Sequence, residues 1–367
     1  MTTNWFPPRL GVLCVAVLLV TAGCTNAPID GSTLDAETIA ENVQERHEEI
    51  DDLRGVQRTT VEFGDETTTT TLEVWERSPD QYRQEVRSST AGHTTEGDVT
   101  VANESGVWSY SASDDVVRTF EFESDAGAGG TIGTMDEAQL ERFLETFDVE
   151  HLGTDTVADR DVHVIRLTPS NESAADDELA GIYDELKLWV DEEYWYPLQQ
   201  RAELTIGGES QTVTTTFEEI EFNADVADER FAFDPPEGAE IVTAEDVTRE
   251  TFDGLEAASD AAPFDVAAPD EPDGYSFETA TVIDDGTGTI TVSATYAGPD
   301  DGLWLSVTDD RDAEPPGEEV TVDGTEATLV DGRVNALYWT CGDLEYSLSG
   351  DLERTQLVET AASIDCP

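Results

Sequence analysis

The sequence predicts a mainly β protein of the α+β class, organised in two domains. Short runs rich in Val, Thr, Tyr, Phe and Trp alternate apolar and polar residues over most of the chain, which is typical of antiparallel strands. Apolar residues at helical spacing are confined to a few segments. The length of 367 residues accommodates two domains, and an Ala-, Asp-, Glu- and Pro-rich stretch at 243–273 is predicted to be an acidic linker between them.

The first helix is predicted over residues 34–51, where Ile39, Val43, His47 and Ile50 fall on one face. A meander of strands follows, and then a second helix at 134–147 with a capping box formed by Thr134 and Glu137. The strands predicted around this second helix are 55–63, 67–77, 81–88, 98–102, 106–111, 116–123, 161–167, 185–191, 198–206 and 212–222.

A smaller second domain is predicted over residues 274–367. It is expected to be an antiparallel β domain that closes with a helix at 351–364. Its predicted strands are 275–283, 289–296, 303–308, 319–322, 326–330, 333–339 and 344–349.

The charge balance is extreme, with 83 acidic residues against 18 basic ones and a net charge of −65. These carboxylates are spread along the chain and do not form an acidic tail. At molar salt the Debye length falls to about 3 Å, so their repulsion is screened. The composition therefore predicts a protein of a hypersaline environment, and it argues against nucleic-acid binding, which needs a basic surface.

The N-terminus reads as an export signal. Residues 1–23 contain one basic residue, Arg9, and an apolar run from Leu10 to Val20 that is too short to span a membrane. The small residues before Cys24 resemble a lipobox, although Thr21 stands where leucine is commonest. We expect lipid attachment at Cys24, a flexible tether at 24–33, and anchoring to the outer face of the cell membrane. A signal peptide cut nearby, or an uncut signal anchor, are the alternatives.

Removal of residues 1–23 takes Cys14 with it, and Cys341 and Cys366 are then the two cysteines left besides the proposed lipid-attachment residue, Cys24. Disulfides persist in an oxidising compartment, so we expect a Cys341–Cys366 disulfide. Metal binding is the alternative, but two thiols without a nearby histidine make a poor zinc site. The sequons at Asn103 and Asn171 are candidates for glycosylation.

Four phrases of the first domain resemble the LolA-like family of lipoprotein carriers, over roughly residues 34–242. They are "RSPDQYRQEV" at 77–86, "GVWSYSASDDVVRTF" at 106–120, "LWVDEEYWYPLQQR" at 188–201 and "FEEIEFNADVADERFAFDPPEGAEIV" at 217–242. The resemblance implies an unclosed antiparallel β-barrel, a half-barrel that wraps a hydrophobic cavity beneath a helical lid. The second domain resembles a small uncharacterised domain at the C-terminus of LolA-like and sigma-regulatory exported proteins.

Aromatic residues of the strands are the candidates for the cavity lining: Trp75, Tyr82, Trp108, Tyr110, Phe120 and Phe122. A concave apolar surface suits acyl chains. The alternative for each of these residues is an ordinary place in the core between sheet and helix.

The sequence carries no nucleophile elbow, P-loop or dinucleotide fingerprint, and its four histidines are scattered. We therefore expect no enzyme, no cofactor and no metal site. The leading hypothesis is a membrane-anchored lipoprotein whose first domain binds a lipid or a lipidated protein. The alternative is an envelope sensor or scaffold that binds a protein partner without transporting lipid; capture of a substrate for a transporter is the weakest hypothesis.

Overall fold

The computed structural model describes residues 36–47, 49–64, 66–77, 81–92, 94–121, 146–170, 183–206, 209–298, 302–309, 317–330 and 334–365. These residues form two sheets, one of 12 strands and one of 8 strands, which are antiparallel except where residues 240–243 pair in parallel with residues 116–119. The larger sheet is an unclosed half-barrel. The smaller sheet carries a terminal helix, so the predicted fold class is confirmed.

The larger sheet runs in the order β12-β6-β5-β4-β3-β2-β1-β11-β10-β9-β8-β7. The first helix, α1, spans Ala36–His47. The strands are β1 Asp52–Phe63, β2 Glu66–Arg77, β3 Gln81–Ser89, β4 Val99–Asn103, β5 Gly106–Ser111, β6 Val116–Glu121, β7 Phe147–Val157, β8 Arg160–Pro169, β9 Tyr183–Asp191, β10 Pro197–Ile206, β11 Glu209–Phe222 and β12 Glu240–Thr243.

The long central strands follow from their threonine content. Residues 67–71 of β2 are five consecutive threonines, and β11 adds three more at 214–216. Threonine is β-branched, and its side chain packs well on a pleated surface. The pairs Thr59–Thr70 and Thr59–Thr215 lie directly across from each other, and the hydroxyls of Thr59 and Thr215 are 3.0 Å apart in the interior. The centre of this sheet is therefore held by matched β-branched pairs.

Strand alternation gives the larger sheet two different faces. We call the face that carries Leu53, Leu72 and Phe217 the helix-side face, because α1 packs on it through Ile39 against Ile165 and Leu186 at the β8–β9 end. We call the opposite face the strap-side face. It is crossed by residues 223–234, the strap, which contain a short 3-10 helix at Asp228–Phe231.

The smaller sheet runs in the order β13-β14-β15-β16-β20-β19-β18-β17. Its strands are β13 Thr248–Phe252, β14 Ser276–Asp284, β15 Ile290–Ala297, β16 Leu303–Thr308, β17 Glu318–Val322, β18 Thr325–Val330, β19 Asn335–Cys341 and β20 Leu344–Gly350. The tight turn between β17 and β18 is Asp323-Gly324, with φ of 45° and 86°, the dipeptide that such hairpin turns favour. Two helices, α2 at Leu255–Ala261 and α3 at Arg354–Ala362, cover its core.

Besides β12, which is not among the predicted strands, two segments differ from the sequence-based prediction. Phe147 was expected to end a helix, but it begins β7, an edge strand that the prediction missed; the rest of that predicted helix lies outside the described residues. Buried or half-buried residues alternate with exposed ones over 147–154, and residues 154–156 are all exposed, as expected of an edge strand that is solvated along one side. The predicted acidic linker at 243–273 contains β13 and α2, and α2 buries Leu255 and Ala258 in the core of the smaller sheet.

The two sheets meet at a short joint. Arg118 on β6 pairs with Asp285 at 3.1 Å, just after β14. Asp285 also accepts hydrogen bonds from the backbone and hydroxyl of Thr287. Burial by itself would raise the pKa of the Asp285 carboxyl, but the hydrogen bonds from Thr287 and Arg118 together outweigh burial and lower it. None of the described helices has the length and the apolar composition that crossing a membrane requires.

Candidate functional site

One cross-strand row runs over seven strands of the helix-side face. Strand register aligns, in order, Phe222, Leu53, Glu76, Tyr82, Ala102, Val107 and Phe120. Residues that are paired directly across antiparallel strands share a face, so these side chains form a continuous, mostly apolar band. We call this band the helix-side row.

The row is buried at one end and open at the other. Leu53 is 1% exposed and belongs to the apolar cluster of β1, β2 and β11. Phe120, at the opposite end, is 47% exposed in the described structure. An exposed phenylalanine that continues a buried apolar band offers a surface for an apolar ligand.

The single carboxylate of the row, Glu76, lies between Leu53 and Tyr82. Burial raises its pKa from 4.5 to about 7, and a hydrogen bond that the Tyr196 hydroxyl donates at 3.1 Å offsets only part of that rise. The group is therefore largely neutral below pH 7. In the sequence, Glu76 follows the alternate apolar positions Leu72 and Val74, and a carboxylate that continues such a series is the local signal of this site.

The six aromatic candidates do not line one surface. Tyr82 and Phe120 lie in the helix-side row. Trp75, Trp108 and Tyr110 lie on the strap-side face, since Trp75 pairs with Arg83 and Trp108 with Val101. Phe122 lies outside the described residues. An inward-facing position cannot be read from aromatic character alone, because both faces of this sheet are covered by other segments.

Trp75 has a structural neighbour of its own. It is 4% exposed, and the Arg230 guanidinium of the strap lies 4.4 Å from the centre of its ring. Arg77 and Arg83 donate hydrogen bonds to strap carbonyls, Arg77 to Val226 and Arg83 to Arg230 and Ala232. These contacts hold the strap against β2 and β3.

A cavity of about 640 Å³ lies between the strap and this face. It is lined by Arg54, Trp75, Arg83, Ala224, Asp225, Val226, Ala227, Glu229, Arg230, Ala232, Phe233 and Asp234. The local sequence pattern does not predict this cavity, because the strap residues meet the sheet only in the folded chain.

Two histidines meet near the β7 edge. The His151 and His163 rings are 5.4 Å apart, and His163 lies 5.3 Å from Trp195. Burial lowers the pKa of His163, although the Glu192 carboxylate opposes that shift. In the described ranges, no group of three or more His, Cys, Asp or Glu residues is arranged to hold a metal ion.

The Asn103 amide is engaged within the fold. It donates a 2.9 Å hydrogen bond to the Phe231 carbonyl, and its oxygen accepts one from the Ser105 backbone at 2.8 Å. Glycosylation at Asn103, which stays a prediction, would have to replace the first of these bonds.

The remaining candidate residues are placed as follows. Cys341 is buried at the end of β19. Cys366, Cys24 and Asn171 lie outside the described residues. The Cys341–Cys366 disulfide, the lipid attachment and the second glycosylation site therefore stay predictions.

Comparison with known proteins gives one sequence relative. No family model matches the chain. An uncharacterised protein of Methanocaldococcus jannaschii is 26% identical over 236 residues, which cover 61% of this chain and 64% of that protein. The chain thus matches less than two thirds of the length of that relative.

Several solved structures are similar at low TM-scores. The MucA/MucB complex of Pseudomonas aeruginosa gives a TM-score of 0.36 at 12% identity, covering 89% of this chain and 96% of that one. A LolA superfamily protein from Nitrosomonas europaea gives 0.27 at 14% identity, covering 55% and 98%. The Mycobacterium tuberculosis lipoprotein LppX gives 0.27 at 10% identity, covering 52% and 95%. Likenesses at these TM-scores carry no argument about the ligand.

Proposed function

We propose that this chain is a lipid-anchored extracytoplasmic binding protein, and that its helix-side row binds the acyl part of a lipid or of a lipidated protein. The observation that carries this proposal is Phe120. Its ring continues an apolar band that is buried at Leu53, yet it is 47% exposed itself. Because the ring is already about half buried, covering its exposed part stabilises a complex by roughly half of the value for full burial, about 0.7–1.5 kcal/mol.

Glu76 gives the proposed site a pH dependence. A neutral carboxylic acid is far less costly to bury under an acyl chain than a carboxylate. Because the pKa of Glu76 is about 7, we expect acyl binding to weaken as the pH rises above 7. Glu76→Gln keeps an acceptor for the Tyr196 hydroxyl and should bind with the same affinity on both sides of pH 7.

Binding of a fluorescent fatty acid in molar KCl tests the proposal. We expect Phe120→Ser to weaken binding by about three- to tenfold. Ile241 offers a matched control: it is 52% exposed on the neighbouring strand β12, and it pairs with Val117, which points to the strap side. Ile241→Ser should leave the affinity unchanged, and equal losses in the two variants would contradict the proposal.

Mass spectrometry of gently purified protein supplies a second test. Co-purified lipid supports the proposal. The result that favours a sensor or scaffold is a stoichiometric protein partner after cross-linking in cells, no bound lipid, and no effect of Phe120→Ser on fatty-acid binding.

The anchor is proposed at Cys24, on the outer face of the cell membrane. The lipid would be attached through the Cys24 thiol, which serine lacks. Cys24→Ser should therefore release the protein into the medium, whereas wild type fractionates with membranes.

We further propose that the chain works at high salt and is not an enzyme. Its 83 acidic residues support the first point, because their repulsion needs screening. A circular dichroism spectrum that is the same in molar and millimolar KCl would argue against salt adaptation.

A further inference from the structure

The strap-side cavity is rich in arginine for so acidic a chain. The whole sequence holds 18 basic residues against 83 acidic ones, yet Arg54, Arg83 and Arg230 all line this cavity. Strand register explains two of them. Arg54 pairs with Trp75 and Trp75 pairs with Arg83, so the indole lies between two guanidinium-bearing residues in one cross-strand row.

Neighbouring carboxylates hold two of these arginines, Arg54 and Arg83, in place. Arg54 donates from Nε and Nη2 to one oxygen of Glu221, at 2.8 and 2.5 Å. Arg83 donates to Glu85 at 2.7 Å, and its side chain is only 16% exposed. These groups are fixed before any ligand arrives, which reduces the entropy that binding would cost.

Arg230 is the least engaged of the three arginines. Its guanidinium lies on the Trp75 ring, and its closest carboxylate oxygen, on Glu85, is 3.6 Å away. Within the described chain its side chain makes that ion pair and that ring contact, while its side chain is 45% exposed. Stacking on the indole fixes the plane of the guanidinium and leaves its N–H edge available to an acceptor.

The lining holds three acidic residues beside its three arginines. Asp225, Glu229 and Asp234 are all exposed, whereas Trp75 is 4% exposed at the floor. Arg54 and Arg230 are exposed as well, at 57% and 45% of their side chains, so Arg83, at 16%, is the arginine that lies with Trp75 at the buried floor. At molar salt a charge acts over only about 3 Å, so an anion in direct contact with the guanidinium groups is little affected by carboxylates that it does not touch.

We propose that this cavity binds a small organic anion, whose carboxylate or phosphate group accepts hydrogen bonds from Arg230 and from the flanking arginines. The volume of about 640 Å³ falls within the range of small-molecule sites. The apolar body of the ligand would lie against the alanines, Val226 and Phe233 of the strap. This site is on the opposite face from the helix-side row and does not depend on the acyl-binding proposal.

Calorimetric titration of the full protein with citrate, inorganic phosphate and glycerol 3-phosphate, at constant ionic strength, tests this inference. Binding of citrate alone indicates a carboxylate ligand, and binding of phosphate alone indicates a phosphate ligand. If glycerol 3-phosphate also binds, vesicles of phosphatidylglycerol then separate a lipid headgroup from a free phosphate. Failure of all the soluble anions to bind would overturn the proposal, and the fatty-acid assay would be unaffected.

Variants separate a ligand contact from a structural role. Arg230→Gln should weaken anion binding about tenfold or more, because a charged hydrogen bond is lost. Arg87→Gln is the matched control, since Arg87 lies on the same strand as Arg83 but pairs with Glu73 outside the lining. Glu85→Gln removes the carboxylate that competes for Arg83 and Arg230, and it should strengthen binding. Weaker binding in Glu85→Gln, or equal loss in Arg87→Gln, would contradict the proposal.

Discussion

The two sheets of this molecule are stabilised in different ways. The smaller sheet buries one continuous apolar cluster, which includes Trp339, Tyr346 and Leu357. The larger sheet divides its apolar residues into two clusters, one under α1 and one around Leu53 and Phe217. Ion pairs of arginine concentrate on the larger sheet, with Arg58–Glu218, Arg160–Asp191 and Arg166–Glu150 among them.

The difference follows from shape. A small sheet with helices on one face can close a single core, whereas a wide, curved sheet exposes more surface than one core can cover. In the larger sheet, arginine side chains cover what apolar packing leaves open, with their apolar stems on the sheet and their charges on carboxylates. We place binding at two surfaces of the larger sheet that this packing leaves open, the helix-side row and the strap-side cavity.

The largest loss of stability should come from creating a cavity in the single core of the smaller sheet. Trp339→Ala removes a side chain that is 1% exposed and lies 5.5 Å from the Tyr346 ring. We expect a loss of about 3–5 kcal/mol in the free energy of unfolding. Guanidinium unfolding followed by hydrogen exchange should place that loss in the smaller sheet. Leu167→Ala, in the cluster under α1, should destabilise the larger sheet instead, and identical exchange patterns would break the comparison.

The buried ion pair of the larger sheet should matter nearly as much. Asp191 is 1% exposed, and Arg160 donates to both of its oxygens, at 2.5 and 3.1 Å. Arg160→Gln leaves that carboxylate buried without its charge partner, which should cost about 3–4 kcal/mol. Thermal unfolding at constant salt measures this loss. A change below about 1 kcal/mol would mean that the arginines of the larger sheet are dispensable.

The predicted Cys341–Cys366 disulfide would strengthen the smaller sheet further. A loop of this length stabilises by roughly 3 kcal/mol in the chain-entropy model. Cys366→Ser should lower the free energy of unfolding by that amount, and a reductant should affect wild type but not the variant. Two reactive thiols in the unreduced wild-type protein would refute the disulfide.

The pH dependence of stability tests the acid of the helix-side row. The pKa of Glu76 is raised from 4.5 to about 7, so its contribution to stability is fully present below pH 4.5 and is lost as the pH rises through 7. Glu76→Gln should therefore be more stable than wild type above pH 7, by up to about 3 kcal/mol, and equal to it at low pH. Glu66→Gln, at the exposed start of the same strand, should show no such difference.

The smallest effect belongs to a surface pair. The side chains of Arg58 and Glu218 are 46% and 41% exposed, so solvent and salt screen their attraction. Arg58→Gln should change the free energy of unfolding by less than about 1 kcal/mol. Urea unfolding of Arg58→Gln and Arg160→Gln under the same conditions compares the two losses of stability directly. Equal losses in the two variants would show that burial does not decide the strength of these pairs.

Much of the fold could be read from the sequence because strand alternation is local. The predicted strand 106–111 coincides with β5, and 303–308 with β16. Two segments could not be read. Phe147 has helical spacing to residues before it but lies in an edge strand, and the Ala- and Asp-rich composition around α2 hides a helix that tertiary packing retains.

The sequence by itself determined the class of fold, the extreme acidity and the expected export signal, because composition and period are properties of short stretches. Only the tertiary structure decided which residues act together. It put Tyr82 and Phe120 in one row and moved Trp75 and Trp108 to the other face, and it placed Glu76 where burial raises its pKa. It also placed Arg230 on the ring of Trp75, although the two residues are far apart in the sequence. Register and chain crossing set these distances, and no local pattern encodes them.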